Sequence, residues 1–264
     1  MKAQVVAAML LAVILGLDGA PAAAKGEDFR IATRLYSGED GEESQIGETL
    51  TLFRAGTVYD FVLNRPRAVT IFEPEARRIF VLEPSRRLKV RVEHDELLRF
   101  VAQLNVQARR SSQPFLRFLA HPAFDQQYDE LSGRLSLRSE WLEYRVDTQP
   151  LPSETAAAQY REFADTYARL NAYLNVGALP PGGRLALNEA LAELRLMPRQ
   201  VELVRLHVEE SEPLHRLRAV HEVEWSLKAS DDRLIEQARE QLERYRLATI
   251  EEYRGKIGRA SCRE

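Results

Sequence analysis

The sequence predicts an α+β protein: a curved antiparallel sheet of roughly eleven strands, shaped as an open half-barrel, whose concave face is covered by roughly four or five helices. Two observations carry this prediction. Residues 49–92 form a run of short alternating strands broken by turn residues, and several longer segments carry apolar residues at helical spacing. No period of about 20 to 50 residues repeats, which argues against a solenoid or a propeller.

Most of the predicted strands alternate between apolar and polar side chains. Residues 29–36 alternate apolar side chains with arginines, and the third strand carries Tyr59, Phe61 and Leu63 on one face and Asp60 on the other. A register shift of one residue would expose those three large side chains, so the pairing is well specified. The predicted strands are residues 29–36, 49–53, 57–63, 69–72, 79–82, 88–92, 128–131, 134–138, 141–147, 201–208 and 214–227.

The predicted helices begin at residues that satisfy free backbone N–H groups. Asp95 caps the first helix, Ser153 with Glu154 opens the third, and residues 230–232 form an acidic cap for the last. The predicted helices are residues 95–108, residues 113–120, residues 153–174, a segment after residue 183 that ends near residue 196, and residues 230–245.

The two ends of the chain are predicted to lie outside the folded domain. Residues 1–24 combine one lysine, an apolar run and a run of three alanines at residues 22–24, a pattern typical of a secretion signal cleaved after Ala24, with a retained N-terminal anchor as the alternative. Residues 257–264 are typical of a non-native, adapter-derived tail. Cys262 is the only cysteine of the chain, so the native part would contain neither a disulfide nor a Cys-ligated metal. Residues 25–256 are predicted to form a single α+β domain.

Composition narrows the class of function. The formal net charge of −3 and the interspersed signs of charge argue against a nucleic-acid binder. No Gly-x-Ser-x-Gly motif and no phosphate-binding glycine loop occurs. His215 and His221 share a strand face, but six residues of strand separate them by roughly 20 Å, too far to share a metal. We therefore expect no enzymatic activity, no metal and no cofactor.

Apolar side chains on the predicted strands are the remaining functional signal. If the sheet curls, they would line its concave side, either as an ordinary packed core under the helices or as a groove for a hydrophobic ligand. The predicted ligand-binding residues are Tyr59, Phe61, Leu63, Ile71, Tyr144, Val223 and Trp225.

Residues 52–92 resemble the core of the periplasmic family of outer-membrane lipoprotein carriers. The matching features are an Arg-Pro pair at residues 65–66, the strand at residues 69–72, the strand and Glu-Pro turn at residues 78–84, and the basic strand at residues 87–92. The resemblance implies an unclosed β-barrel with a helical lid and an extracytoplasmic carrier or sensor of acyl chains. The chain departs from that pattern in its long helical insertion, and the internal arginine of such carriers cannot be assigned to a residue here.

The sequence thus predicts an exported, non-enzymatic protein, periplasmic or secreted, that binds a lipid or a lipoprotein acyl chain. Peripheral contact with a membrane and an envelope protein partner are compatible with this prediction. The alternative is a structural or interaction module of the cell envelope that binds no small ligand. A hydrolase is the third hypothesis, and it would require a cleft in which His221 meets a carboxylate.

Overall fold

Twelve strands form one unclosed, mostly antiparallel sheet in the part of the chain that the computed structural model describes, residues 26–39, 42–175, 178–206 and 216–254. The strand order is β12-β6-β5-β4-β3-β2-β1-β11-β10-β9-β8-β7. The strands are β1 (Phe29–Glu39), β2 (Glu42–Arg54), β3 (Thr57–Val62), β4 (Ala68–Glu73), β5 (Arg78–Glu83), β6 (Leu88–Glu93), β7 (Asp125–Asp129), β8 (Arg134–Arg138), β9 (Leu142–Pro150), β10 (Leu196–Arg205), β11 (Arg216–Glu224) and β12 (Arg246–Leu247).

The described helices are inserted between strands at three places: α1 and α2 after β6, α3 and α4 after β9, and α5 after β11. The helices are α1 (His94–Arg109), α2 (Pro114–Ala120), α3 (Glu154–Leu174), α4 (Gly182–Glu193) and α5 (Ala229–Arg244). The predicted fold class, an α+β protein with a curved and unclosed antiparallel sheet, is confirmed. None of the described helices is both long enough and apolar enough to cross a membrane.

Helices cover both faces of the sheet. Successive residues of a strand point to opposite sides, so neighbouring residues pack against different helices. Phe53 and Val58 pack on the side of α1 and α3, whereas their neighbours Leu52 and Tyr59 pack on the side of α5. We call these sides the α3 face and the α5 face. The sequence predicted helices on one face only, and α5 occupies the other.

The N-terminus of α3 is fixed by a side-chain cap. The hydroxyl oxygen of Ser153 accepts a hydrogen bond from the Ala156 backbone N–H at 3.0 Å, which satisfies one free donor of the first turn. Ser153 also bonds the Glu27 carboxylate, so the start of the described chain is tied to this helix. The predicted opening of the helix at Ser153 is confirmed.

The helix α5 begins at a buried carboxylate. Asp231, only 1% exposed, accepts the Lys228 backbone N–H at 2.8 Å and an Arg30 guanidinium N–H at 3.3 Å from β1. The helix is capped at Lys228, two residues before the predicted start. Likewise, Glu93 stands at the N-cap position of α1 without a side-chain capping hydrogen bond, and Asp95, the predicted cap, lies in the first turn.

The two borders of the sheet differ from its centre. One border is β7, whose residues Asp125–Asp129 are mostly exposed and polar. The other is β12, which has two residues and runs parallel to β6. The predicted strand at residues 128–131 is wrong in its bounds, because residues 130–133 form the turn between β7 and β8 and Gly133 adopts a φ of 66° there.

Several predictions concern residues outside the described ranges. They are the signal segment 1–24, the tail 257–264 with Cys262, and the histidine His215.

Candidate functional site

Three of the predicted ligand-binding residues belong to a packed core on the α5 face. Tyr59, Phe61 and Ile71 are buried there against Ile235 and Ala238 of α5. The Tyr59 hydroxyl accepts a hydrogen bond from Arg239 at 3.0 Å. These aromatic and aliphatic side chains fill the space between the sheet and α5.

The other four predicted residues lie apart from that core. Tyr144 packs in a cluster with residues of α4, Val223 packs against the core of the α3 face, and Trp225 is 41% exposed with its ring 5.2 Å from that of Phe29. Leu63 is 39% exposed and, with Phe61, borders a cleft of about 360 Å³ beside α5. The structure does not bring the seven residues onto one surface, and their contact with a ligand stays a prediction.

A larger cavity of about 540 Å³ lies on the α3 face, between the sheet and α3. None of the seven predicted residues lines it. Its sheet wall consists of Ile31, Thr33, Leu35, Gly47, Glu48, Thr49, Thr51, Asp60, Val62, Asn64 and His221, and its helical wall of Tyr160, Phe163, Ala164, Tyr167, Ala168, Asn171 and Arg184. We call this space the α3 cavity. Its volume falls in the range of roughly 300–1,000 Å³ typical of small-molecule sites.

Asp60 is a buried carboxyl group in the sheet wall of the α3 cavity. The hydroxyl of Thr51, directly opposite on β2, donates a hydrogen bond of 2.7 Å to Asp60 Oδ1. Burial raises the pKa of Asp60 to about 6, against the opposing effect of the Thr51 and Tyr167 hydroxyls. Oδ2 is buried and has no hydrogen-bond partner of normal geometry among the described residues, and the nearby Tyr167 hydroxyl lowers the pKa of the carboxyl only in part against burial.

His221 stands at a second position of the sheet wall. Its Nδ1 lies 2.9 Å from the hydroxyl oxygen of Thr33, its register partner on β1, whereas Nε2 is buried without a partner among the described residues. Burial, reinforced by the positive charge of Arg184, lowers the pKa of His221 to about 3. The imidazole is therefore neutral at physiological pH.

Arg184 supplies a positive charge to the cavity from the start of α4. Gly182 allows this helix to approach α2 closely, since an added Cβ would clash with the Leu119 carbonyl oxygen. The Arg184 guanidinium hydrogen-bonds the Tyr160 hydroxyl of α3. The same charge acts on the neutral ring of His221, which places both groups at one end of the cavity.

The cavity does not assemble a catalytic pair from Asp60 and His221. Asp60 lies on β3 and His221 on β11, and β2 and β1 run between them. Three inter-strand steps span roughly 14 Å, far beyond the hydrogen-bond distance that a general base and its orienting carboxylate require. Among the described residues, no group of three or more His, Cys, Asp or Glu side chains is placed to hold a metal ion.

Sequence reasoning missed the residues of the α3 cavity by one position. Asp60 and Val62 alternate along β3 with Tyr59 and Phe61. The sequence predicts the aromatic face as the ligand face, whereas the α3 cavity lies on the opposite face of the strand. The available signal was Asp60 itself, an acidic residue in an otherwise apolar strand opposite the threonine-rich segment at residues 49–51. His221 enters the sequence analysis only as a rejected metal ligand and in the hydrolase hypothesis, not as a residue of a ligand cavity.

Neither a protein-family model nor a curated protein matches the sequence. Among solved structures, the chain is similar to a LolA superfamily protein from Nitrosomonas europaea, with 7% identity, coverage of 78% of this chain and 89% of that chain, and a TM-score of 0.26. It is also similar to the ywiB protein from Bacillus subtilis, with 8% identity, coverage of 74% and 91%, and a TM-score of 0.15.

The unclosed sheet with its helices has the architecture that the resemblance of residues 52–92 implies. Likenesses at such low identities and TM-scores carry no conclusion about function. Function is therefore inferred from the cavity of this chain.

Proposed function

We propose that this protein is an exported, non-enzymatic binding protein that holds a hydrophobic ligand, a lipid or an acyl chain, in the α3 cavity. The observation that carries the proposal is a space of about 540 Å³ that the chain's own side chains leave unfilled between sheet and helix. A tightly packed interior leaves few voids larger than a water molecule, so a space of this size is a feature of a binding site.

The lining of the cavity supports an amphiphilic ligand. Ile31, Leu35, Val62 and Phe163 present apolar surface, and burying a methylene group against such surface contributes about 0.8 kcal/mol. The ligand's chain would lie along this surface. The polar groups of the cavity would then meet the ligand's other end.

Export and carrier function are part of the same proposal. The segment 1–24 has the pattern of a cleaved secretion signal, residues 25–256 would form the mature domain, and the periplasm is the proposed compartment. The cleft beside α5, bordered by Phe61 and Leu63, is a second and smaller place where an apolar ligand would fit.

Calorimetric titration with dodecanoic acid and with dodecanol tests the proposal. Ala168 on α3 lines the α3 cavity, so Ala168→Phe fills it and is expected to weaken binding of both ligands at least tenfold. Ala158→Phe is the matched control: the same substitution in the same helix, at an exposed residue beside a separate groove of about 300 Å³.

The proposal requires that the wild type binds at least one of the two ligands and that the control binds like the wild type. If the wild type bound neither ligand, the proposed function would be ruled out. If Ala158→Phe weakened binding and Ala168→Phe did not, the ligand would bind in the groove beside Ala158 and not in the α3 cavity.

A further inference from the structure

We propose that the α3 cavity selects ligands with an anionic head group, an acyl-chain carboxylate, and that Arg184 is the residue that binds it. This inference rests on the proposed function and specifies the class of ligand for the same cavity. The polar groups at the Arg184 end of the cavity carry the argument.

Arg184 has no ion-pair partner among the residues that the structure describes. Its hydrogen-bond partner, the Tyr160 hydroxyl, is neutral because burial raises the pKa of that phenol. A partly buried guanidinium without a counter-ion is unfavourable, and an anion entering the cavity would remove that cost.

The carboxylates of the cavity do not serve as that counter-ion. Glu48 lies on β2 and Asp60 on β3, whereas the residue beside Arg184 is His221 on β11. Asp60 is compensated instead by the Thr51 and Tyr167 hydroxyls. The strand of His221 is thus two inter-strand steps from that of Glu48 and three from that of Asp60, roughly 10 Å and 14 Å.

His221 adds an unused hydrogen-bonding atom at the same end. Its Nε2 is buried without a partner among the described residues, while Nδ1 is engaged with the Thr33 hydroxyl. When Thr33 donates to Nδ1, Nε2 carries the proton, and as a buried donor without an acceptor it adds an unmet polar group at this end of the cavity. Because the ring is neutral, Arg184 remains the one positive charge of the pair.

These two groups fit a carboxylate better than a neutral head group. A guanidinium presents paired N–H donors in a planar fork that matches the two oxygens of a carboxylate, and its single charge balances a single negative charge. The ligand's chain would extend from this end along Ile31 and Phe163. The resulting ligand class is a long-chain carboxylic acid in its ionised form.

Dodecanoate and dodecanol, which share one chain and differ in the head group, separate this inference from the proposed function. At pH 7.5 we expect the wild type to bind dodecanoate on the order of 10- to 100-fold more tightly than dodecanol, the range of a charge-assisted hydrogen-bonded pair. Arg184→Met should abolish that preference and leave the affinity for dodecanol within about threefold of the wild type. Circular dichroism and thermal unfolding check that the variant is folded.

Arg161→Met is the matched control, since it removes an exposed arginine from α3 that does not line the cavity. It should retain the full preference for dodecanoate. Equal binding of the two ligands by the wild type, or equal loss of preference in the two arginine variants, overturns the inference but leaves the proposed function standing. Failure of both ligands to bind the wild type overturns both.

Discussion

The hydroxyl of Thr51 donates a 2.7 Å hydrogen bond to the carboxylate of Asp60 across the β2–β3 pair, on the buried face under α3. Both side chains are less than 5% exposed. An ionised carboxylate with a single strong donor in such a place reduces stability, because burial is only partly compensated. The cavity therefore contains a group whose protonation state is coupled to the stability of the fold.

Asp60→Asn is expected to change how stability depends on pH. The folded-state pKa of Asp60 is raised to about 6 from its ordinary value of 3.8, so between these values the folded chain holds a proton that the unfolded chain has lost. The contribution of this group to stability is thus present at low pH and is lost as pH rises through about 6. From pH 4.5 to 7.5 the loss amounts to about 2 kcal/mol, and the variant should not show it.

Urea unfolding of the wild type and Asp60→Asn at the two pH values measures this difference. The exposed residue Asp125 on β7 offers the matched control Asp125→Asn, which should follow the wild type. Parallel pH profiles for the wild type and Asp60→Asn would show that the carboxyl is not held in its protonated form by the fold.

His221→Gln is expected to have the opposite effect. The pKa of His221 is lowered to about 3 from 6.5, so as pH falls below 6.5 the unfolded chain binds a proton that the folded chain refuses. Stability from this group is therefore lost toward acid, and the variant should lose less stability between pH 6.5 and 4.5 than the wild type. The same unfolding experiment detects it, with the exposed His121→Gln as the control. A variant as acid-sensitive as the wild type contradicts the burial of a neutral ring.

The hydroxyls around Asp60 should control its ionisation in a defined order. Hydrogen bonds from Thr51 and Tyr167 both lower the pKa of Asp60, and that from Thr51 has the larger effect. Thr51→Val should therefore raise this pKa above its wild-type value by more than Tyr167→Phe does. Titration of the ¹³C-labelled aspartate carboxyl by NMR provides the measurement. A larger shift in Tyr167→Phe would reverse the order, and no shift in either variant would exclude both contacts.

Asp231→Ala is expected to destabilise the protein by about 2 kcal/mol, because the largely buried Arg30 loses its hydrogen-bonded partner and keeps only a 3.7 Å ion pair with Glu224, and because a contact to the start of α5 is removed. Asp232→Ala, next in the chain, removes an exposed carboxylate that pairs with Arg54 at 3.2 Å, and should cost less than about 1 kcal/mol. Urea unfolding at pH 7.5 compares the two. Equal losses would mean that burial of the Asp231 pair does not matter for stability.

Much of the fold follows from local patterns in the sequence. The strand around Tyr59 and the start of α3 at Ser153 are predicted by alternation and by a helix cap, both properties of a few neighbouring residues. The position of α5 on the sheet is not determined by a few neighbouring residues in this way. Val58 and Val62 make β3 apolar on both faces, so its sequence does not reveal which face meets which helix.

The candidate site was less predictable than the fold, for a physical reason. Large aromatic side chains such as Tyr59 and Phe61 fill the space that they face, and the cavity arises where Thr51, Asp60 and Val62 leave space opposite a helix. Arg184 comes from a helix distant in sequence. Its meeting with His221 is set by the packing of α4, which single-sequence patterns do not encode.

The two border strands of the sheet affect how easily a second molecule can add a strand to it. They are the polar strand at residues 125–129 and the two-residue strand β12. An unclosed sheet offers free backbone N–H and C=O groups at its margins, onto which a neighbouring molecule can add a strand. Carboxylates at Asp125 and Asp129 repel a second copy of the same segment, and the brevity of β12 gives an incoming strand little to pair with. Both borders of the described sheet thus offer little to an incoming strand from a second copy.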